Sequence, residues 1–321
     1  MKMRYLLEVS EISDKSVGEY NGMKKYSATG DVDYNKIINF EEVDYETKPS
    51  RANRMVLEGE ILFAKMKGTT KVLKITDEIA NEYIFSTGFT TLKNKEDLDR
   101  DYLYYVLISK HFQTEKDKYC SGATQKAINN TNLKKIKIPV PPMEIQEKIV
   151  QVLDQAQALI DKRKEQIQAL DLLIESIFYT MFGDPVKNEK GWEVKALGDC
   201  INHINNGLQR RGKDDDGEIV LRLVELQSNY IDYSNYNRIK LEKGEREKYQ
   251  IFNEDVLFAR VNGNPDYVGR SSVYYEKTDE KVYFNDHIIR ASFDLKKINP
   301  LYITTLLNTQ RLWKSFCKFP K

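Results

Sequence analysis

Two short basic loops carry the side chains best suited to chemistry. The stretch "AKMKGTTK" sets Lys65, Lys67 and Lys71, with Thr69 among them, around Gly68, and "ARVNGN" sets Arg260, Asn262 and Asn264 around Gly263. Lysine and arginine donate to phosphate oxygens and guanine edges, and asparagine pairs with adenine through two hydrogen bonds. A third stretch, "NNGLQRRGK", adds Arg210 and Arg211 beside amide side chains, and "GATQKA" adds Gln125 and Lys126. Taken singly, each loop reads as a solvated turn, and what raises them is that the first two recur in register.

The recurrence is direct. "EGEILFAKMKG" (58–68) aligns without gaps to "NEDVLFARVNG" (253–263), so that Leu62, Phe63 and Ala64 return as Leu257, Phe258 and Ala259, and Lys65 faces Arg260. Further on, "FSTGFTTL" falls opposite "FNDHIIRA", and "DYLYYVL" opposite "PLYITTL". A repeat of nearly 200 residues is too long for a solenoid unit and marks two copies of one domain. Equivalent loops with different donors are what two readers of different half-sites would carry.

Enzymatic motifs are scarce. The sequence has no phosphate-binding glycine loop, no dinucleotide fingerprint and no metal-ligand spacing of His or Cys. His111, His203 and His287 stand in unlike contexts and read as surface or core residues. "NPDY" (264–267) resembles the "NPPY" motif of adenine methyltransferases but has Asp266 in place of proline and no cofactor loop before it, so a turn is the better reading. The acidic run "KDDDGE" (213–218) reads as a solvated turn between strands.

Short alternating runs with turn signals make residues 1–142 and 183–321 β-rich, and "DLDRDYLYYVLISKHFQTEKDKY" predicts one amphipathic helix covering a sheet. Between them the pattern changes. Ile145, Ile149, Val152, Ala156, Ile160, Ile167, Leu170, Ile174 and Ile177 recur at intervals of three and four, with a double step of four at Val152, Ala156 and Ile160. Pro141 and Pro142 suit the start of a helix over 143–182, and "GDP" at 183–185 suits its stop. At ~1.5 Å per residue such a helix is about 60 Å long. One apolar stripe on so long a rod needs a partner helix.

Composition bounds the partners. The 321 residues suffice for two domains, and 50 Lys+Arg against 49 Asp+Glu leave a net charge of +1, so any nucleic-acid surface is local. Seven lysines between 110 and 137 form one such basic strip. Three widely spaced cysteines argue against a disulfide framework, and no apolar run has membrane-span length, which makes a cytoplasmic protein the expectation.

These features converge on a family. "GATQKAINNTNLKKIKIPVPPMEIQEKIVQVLD" closely resembles the conserved region of type I restriction-modification specificity subunits, and "GEILFAKMKG" with "DYLYYVL" resembles the target recognition domain that precedes it. The resemblance covers essentially the whole chain. It implies an α+β fold: a first target recognition domain (1–142), a spacer helix (143–182) that forms an antiparallel coiled coil with a partner helix, and a second recognition domain (183–321). It implies a non-catalytic reader of double-stranded DNA whose domains each bind half of a split, asymmetric site. Two modification subunits would methylate adenine, and restriction subunits would translocate and cleave. S-adenosylmethionine, ATP and Mg would belong to those subunits, with no cofactor or metal on this chain. "KYCSGATQK" aligns with "SFCKFPK", so the second copy ends where its own "GATQ" would begin. The expectation is a subunit without a second helix, whose stripe is covered by the same helix of another chain, by a separate polypeptide or by a modification subunit. A competing regulatory subunit and a self-sufficient adenine methyltransferase are the alternatives.

Overall fold

A computed structural model describes residues 3–122, 126–261, 263 and 267–309. The chain divides into two compact units, Met1–Arg163 and Lys164–Lys321. The division falls inside the long helix, not at its ends.

In the first unit the elements run β1 (Met3–Tyr5), α1 (Leu6–Val9), β2 (Ser10–Ile12), β3 (Lys24–Ser27), β4 (Val32–Asp33), β5 (Lys36–Ile37), β6 (Glu41–Val43) and β7 (Ala52–Arg54). There follow β8 (Ile61–Ala64), β9 (Val72–Lys74), α2 (Asp77–Glu82), β10 (Tyr83–Ser86) and β11 (Phe89–Asn94). The unit continues with α3 (Arg100–Ile108), α4 (Lys110–Lys118), α5 (Asn130–Leu133) and β12 (Lys137–Pro139), and then enters α6 (Met143–Phe182). Two four-stranded sheets, β2-β11-β8-β9 and β6-β3-β10-β7, carry the core, and β1 pairs with β12. The run "ILFA" is buried at every position because both faces of β8 are covered.

The second unit contains β13 (Ile201–Asn206), β14 (Glu218–Leu221), β15 (Asn237–Ile239), α7 (Lys243–Tyr249) and β16 (Val256–Ala259). After these come β17 (Ser271–Val273), β18 (Val282–Phe284), β19 (Ile288–Phe293) and α8 (Pro300–Asn308). Its sheets, β13-β19-β16-β17 and β15-β14-β18, repeat the strand order of the first unit without a described counterpart of β7, and include the parallel neighbours β14 and β18 that answer β3 and β10. The repeat extends to side chains. Buried Glu60 accepts from the backbone of Leu57, and buried Asp255 accepts from Phe252, closing the same turn before β8 and β16.

The single helix expected around residues 98–119 is two helices. Ser109 is extended (φ −62°, ψ 144°) and its hydroxyl caps α4 by accepting from the Phe112 N–H, which ends α3 and restarts the chain in a new direction. The long helix is continuous. Its C-terminal carbonyls are satisfied by Lys190, which donates to Thr180 and Met181, and by the indole N–H of Trp192, which donates to Phe182. Gly183 then turns the chain at φ +80°, a conformation glycine adopts freely.

Candidate nucleic-acid interface

In the first unit the β8–β9 loop and residues 126–128, far apart in sequence, come together. The Lys67 N–H donates to the Lys126 carbonyl at 2.8 Å, Met66 bridges Ala127, and the Ile128 N–H donates to the Lys65 carbonyl at 3.0 Å. Lys67 and Lys126 are exposed, and Lys65 and Thr69 are half-buried. Gln125 lies outside the described residues. Gly68 sits at φ +69° with its N–H donating to the Asp117 carboxylate at 3.0 Å, so the loop is fixed in shape.

The cation that fixes it most is one of the strip lysines. Lys116 is fully buried and donates to the carbonyls of Met66 (3.0 Å) and Thr69 (2.7 Å), and burial lowers its pKa. It braces the loop from behind and leaves the basic strip. Lys118 pairs with Glu115, and Lys137 lies over the Tyr5 ring, so this strip is less free than its lysine count implies. Lys71 is also engaged, in a 2.9 Å ion pair with Asp33. Lys65 stands in a charged group with Arg54 and Asp14. Burial first, and the Arg54 charge second, lower its pKa. Arg54 pairs with Asp14 at 3.1 Å, and Asp14 also accepts from Thr90 and Thr91. Two cations against one carboxylate leave this group with one net positive charge beside the loop.

The second unit builds an equivalent group from different residues. The Arg260 N–H donates to the His287 carbonyl, as the Lys65 N–H does to Gly88. The Arg260 side chain donates from Nε to the Asp286 carbonyl at 2.7 Å, and Arg211 pairs with the Asp286 carboxylate at 2.8 Å and donates to His287 Nε2 at 3.1 Å. Here both cations pair with one carboxylate, and both guanidinium groups are partly exposed. Sequence reading missed Asp286 and His287; the alignment of "FNDHIIRA" with "FSTGFTTL" puts them opposite Thr87 and Gly88, the backbone on which Lys65 rests. Arg210 is apart from this group, held by Glu245 (2.7 Å) and the Lys240 carbonyl (2.8 Å). Asn262 and Asn264 lie outside the described residues, as does most of "NPDY". Tyr267 begins the return of the loop, under the Arg270 guanidinium at 4.1 Å from its ring centre. Among the described residues no group of three or more His, Cys, Asp or Glu side chains is placed to hold a metal ion.

On α6 the anticipated stripe is exposed over most of its length: Val152, Ile160, Ile167, Leu170, Ile174 and Ile177 each expose 47–64% of their surface. Ile149 differs, because it packs with Val150 against the core of the first unit. Leu159, 58% exposed, stands beside Ile160, 50% exposed, at the same turn of the helix.

A family model described as the type I restriction modification DNA specificity domain matches residues 2–171. The StySPI specificity subunit of Salmonella potsdam is 25% identical over 263 residues, covering 78% of this chain and 57% of that protein. The MjaIX specificity subunit of Methanocaldococcus jannaschii is 32% identical over 136 residues, 38% of this chain and 32% of the relative. The EcoKI specificity subunit of Escherichia coli is 22% identical over 196 residues, 57% of this chain and 42% of the relative. The chain thus spans little more than half the length of the first of these relatives and less of the others. A solved structure described for the complex assembly and conformational transition of the type I R-M system shares the fold, with a TM-score of 0.51 and 17% identity over 98% of this chain and 81% of its own. With the family model spanning more than half of its length, the chain belongs to the type I restriction-modification DNA specificity domain family.

Proposed function

We propose that this protein is a sequence-specific DNA-recognition subunit, without catalysis of its own, that reads a bipartite asymmetric site in double-stranded DNA and recruits adenine methyltransferase and restriction subunits. The observation that carries this reading is the pair of equivalent positively charged groups, Lys65 with Arg54 and Arg260 with Arg211, at the same point of two repeated folds. Each is rigid and backbone-anchored, which suits base readout, and each offers different donors, which suits unlike half-sites. Lys67 and Lys126 extend the first group with exposed charges suited to phosphates.

In this reading two modification subunits hold S-adenosylmethionine, restriction subunits hold ATP and Mg, and the chain itself works in the cytoplasm. Among the described residues no helix is long and apolar enough to cross a membrane. The exposed stripe of α6 is covered by a partner helix, because an apolar seam of this length is stable in water only when paired. Copurification with a modification subunit, followed by mapping of methylated adenines in genomic DNA, tests the reading. A single split motif is expected, and a complex that methylates without sequence preference would refute it.

A further inference from the structure

The two loops that the repeat sets in register differ in length and in what they show to solvent. In the first unit the Ala64 N–H donates to the Lys71 carbonyl, which closes a six-residue loop, 65–70. Its exposed members are Lys67, Gly68 and Thr70, none of them apolar. In the second unit the Ala259 N–H donates to the Arg270 carbonyl, and the Gly269 N–H donates back to the Ala259 carbonyl at 2.7 Å, with Gly269 at φ +82°. This bulge closes a loop of ten residues, 260–269, at the same point of the fold.

The longer loop exposes apolar surface at its neck. Val261, two residues after Ala259, is 41% exposed, Val268, just before the bulge, is 36% exposed, and Tyr267 beside it is 47% exposed. Single exposed apolar side chains are ordinary on a protein surface, but these three belong to one loop and the ring among them is held. The Arg270 guanidinium lies 4.1 Å from the Tyr267 ring centre and donates in turn to the Leu226 carbonyl at 3.2 Å and to Gln227 Oε1 at 2.9 Å. Leu226 is buried in the core of this unit, so the clamp is tied to the fold. In the first unit Lys71 occupies the place of Arg270 and pairs with Asp33. Arg260, at the foot of the longer loop, stands with Arg211 on Asp286, so the apolar neck adjoins a positively charged group.

We propose that Val261, Tyr267 and Val268 form a reading surface for thymine, covering 5-methyl groups on the major-groove edge of A·T pairs in the half-site that the second unit binds. The inference deepens the DNA-reading function proposed above and rests on it. The chemistry selects the base. The thymine methyl is the one apolar group that the four bases present in the major groove, so aliphatic and aromatic side chains recognise it where hydrogen-bond donors do not. Arg211 and Arg260 draw the phosphates and base edges of DNA to the loop. Arg270 is a positioning residue: it holds the Tyr267 ring before DNA arrives, so that little side-chain freedom is lost on contact. The first unit, with Lys67 and Thr70 exposed in its shorter loop, presents donors for phosphates and guanine edges in the corresponding place.

The test exchanges thymine for deoxyuridine, which removes the methyl and leaves every hydrogen-bonding group in place. Once mapping of methylated adenines has given the motif, each thymine of both half-sites, apart from those opposite the methylated adenines, is replaced singly in a labelled duplex. Affinity is measured for the full chain with its copurified modification subunit. At least one replacement should weaken wild-type binding about threefold to tenfold, the effect of one buried methyl or slightly more. The triple variant Val261→Ser, Tyr267→Ala, Val268→Ser should bind the thymine and uracil duplexes within about twofold of each other, Val268→Ser alone should lose part of the difference, and Tyr267→Phe should keep it. Arg270→Met should shrink the difference without abolishing binding. The methyl groups that matter to the wild type and not to the triple variant should all lie in one half-site. Four results overturn the inference: a motif with no such thymine, a wild type that distinguishes its motif from a scrambled duplex yet ignores every methyl, a triple variant that keeps the full thymine preference, or one that loses affinity equally on cognate and scrambled duplexes. A wild type that does not distinguish its motif from a scrambled duplex would refute the DNA-reading function itself, and this inference with it.

Discussion

At the scale of single residues, the interface separates cations that brace from cations that face solvent, a distinction that lysine counts in the sequence do not contain. Lys116 donates to two loop carbonyls from a fully buried position. Lys116→Met keeps the volume and strands both carbonyls, which costs about 1–3 kcal/mol. Thermal denaturation should show a Tm lower by several degrees, at roughly 2–4 °C per kcal/mol for a unit of this size. DNA affinity should fall as well, through a loosened loop. Lys67 and Lys126 are exposed, and each alanine replacement should weaken binding to all sequences alike and lower the salt-dependence slope by about one. Lys65→Ala should act otherwise: its side chain is half-buried near Arg54 on a backbone held by Gly88 and Ile128, and a loss of about 1–3 kcal/mol is expected on the cognate sequence and little on others. Titration of labelled duplexes, cognate and scrambled, at several salt concentrations separates the two behaviours. The donor-rich loops were legible in the sequence because residue type and repetition sufficed. That Lys71 pairs with Asp33, Arg210 with Glu245, and Arg211 with Asp286 was not, since each partner lies at least 35 residues away in sequence.

At the scale of elements, periodicity carried the most information where the helix was longest. The apolar steps marked out α6 as the structure has it, because forty residues average over local exceptions. The same reasoning failed for α3 and α4, where one serine cap redirected a chain whose apolar spacing was compatible with a single helix. One member of the stripe needed the structure to be placed: Ile149 packs on the first unit's core, while Val152, Ile160, Ile167, Leu170, Ile174 and Ile177 stay exposed. A seam whose apolar residues are half or more exposed implies a partner, and its middle is the place to test that. Ile167→Asp with Ile174→Asp introduces two charges into any helix pairing there, so that copurification with a modification subunit or a partner helix should be lost. The double variant should keep its circular dichroism spectrum and its affinity for each half-site, because neither residue touches the recognition loops. Loss of DNA binding along with assembly would mean that the stripe serves the fold of the chain and not its partners.

At the scale of the whole molecule, the decisive fact is a near-neutral chain with two small positive groups in repeated settings. A net charge of +1 gives no long-range pull on DNA, so affinity must come from a few local contacts and should have a modest salt slope. The repeat was visible in "LFAK" and "LFAR", yet its functional content, a second cation near each recurring one, emerged only when the fold put Arg211 with Arg260 on Asp286 and Arg54 near Lys65. If each group reads its own half-site, the two should be separable. Lys65→Ala should relax the methylation motif in one half and leave the other intact, Arg260→Ala should do the converse, and the double variant should lose affinity by close to the sum of the single losses, since the two side chains have no partner in common. Methylome mapping of the three variants reads this directly. If both halves degrade together in either single variant, the groups act as one site, and a bipartite reader with independent halves is excluded. If neither half changes while affinity falls, the two cations contact phosphate, and base specificity must reside in other residues of the same loops.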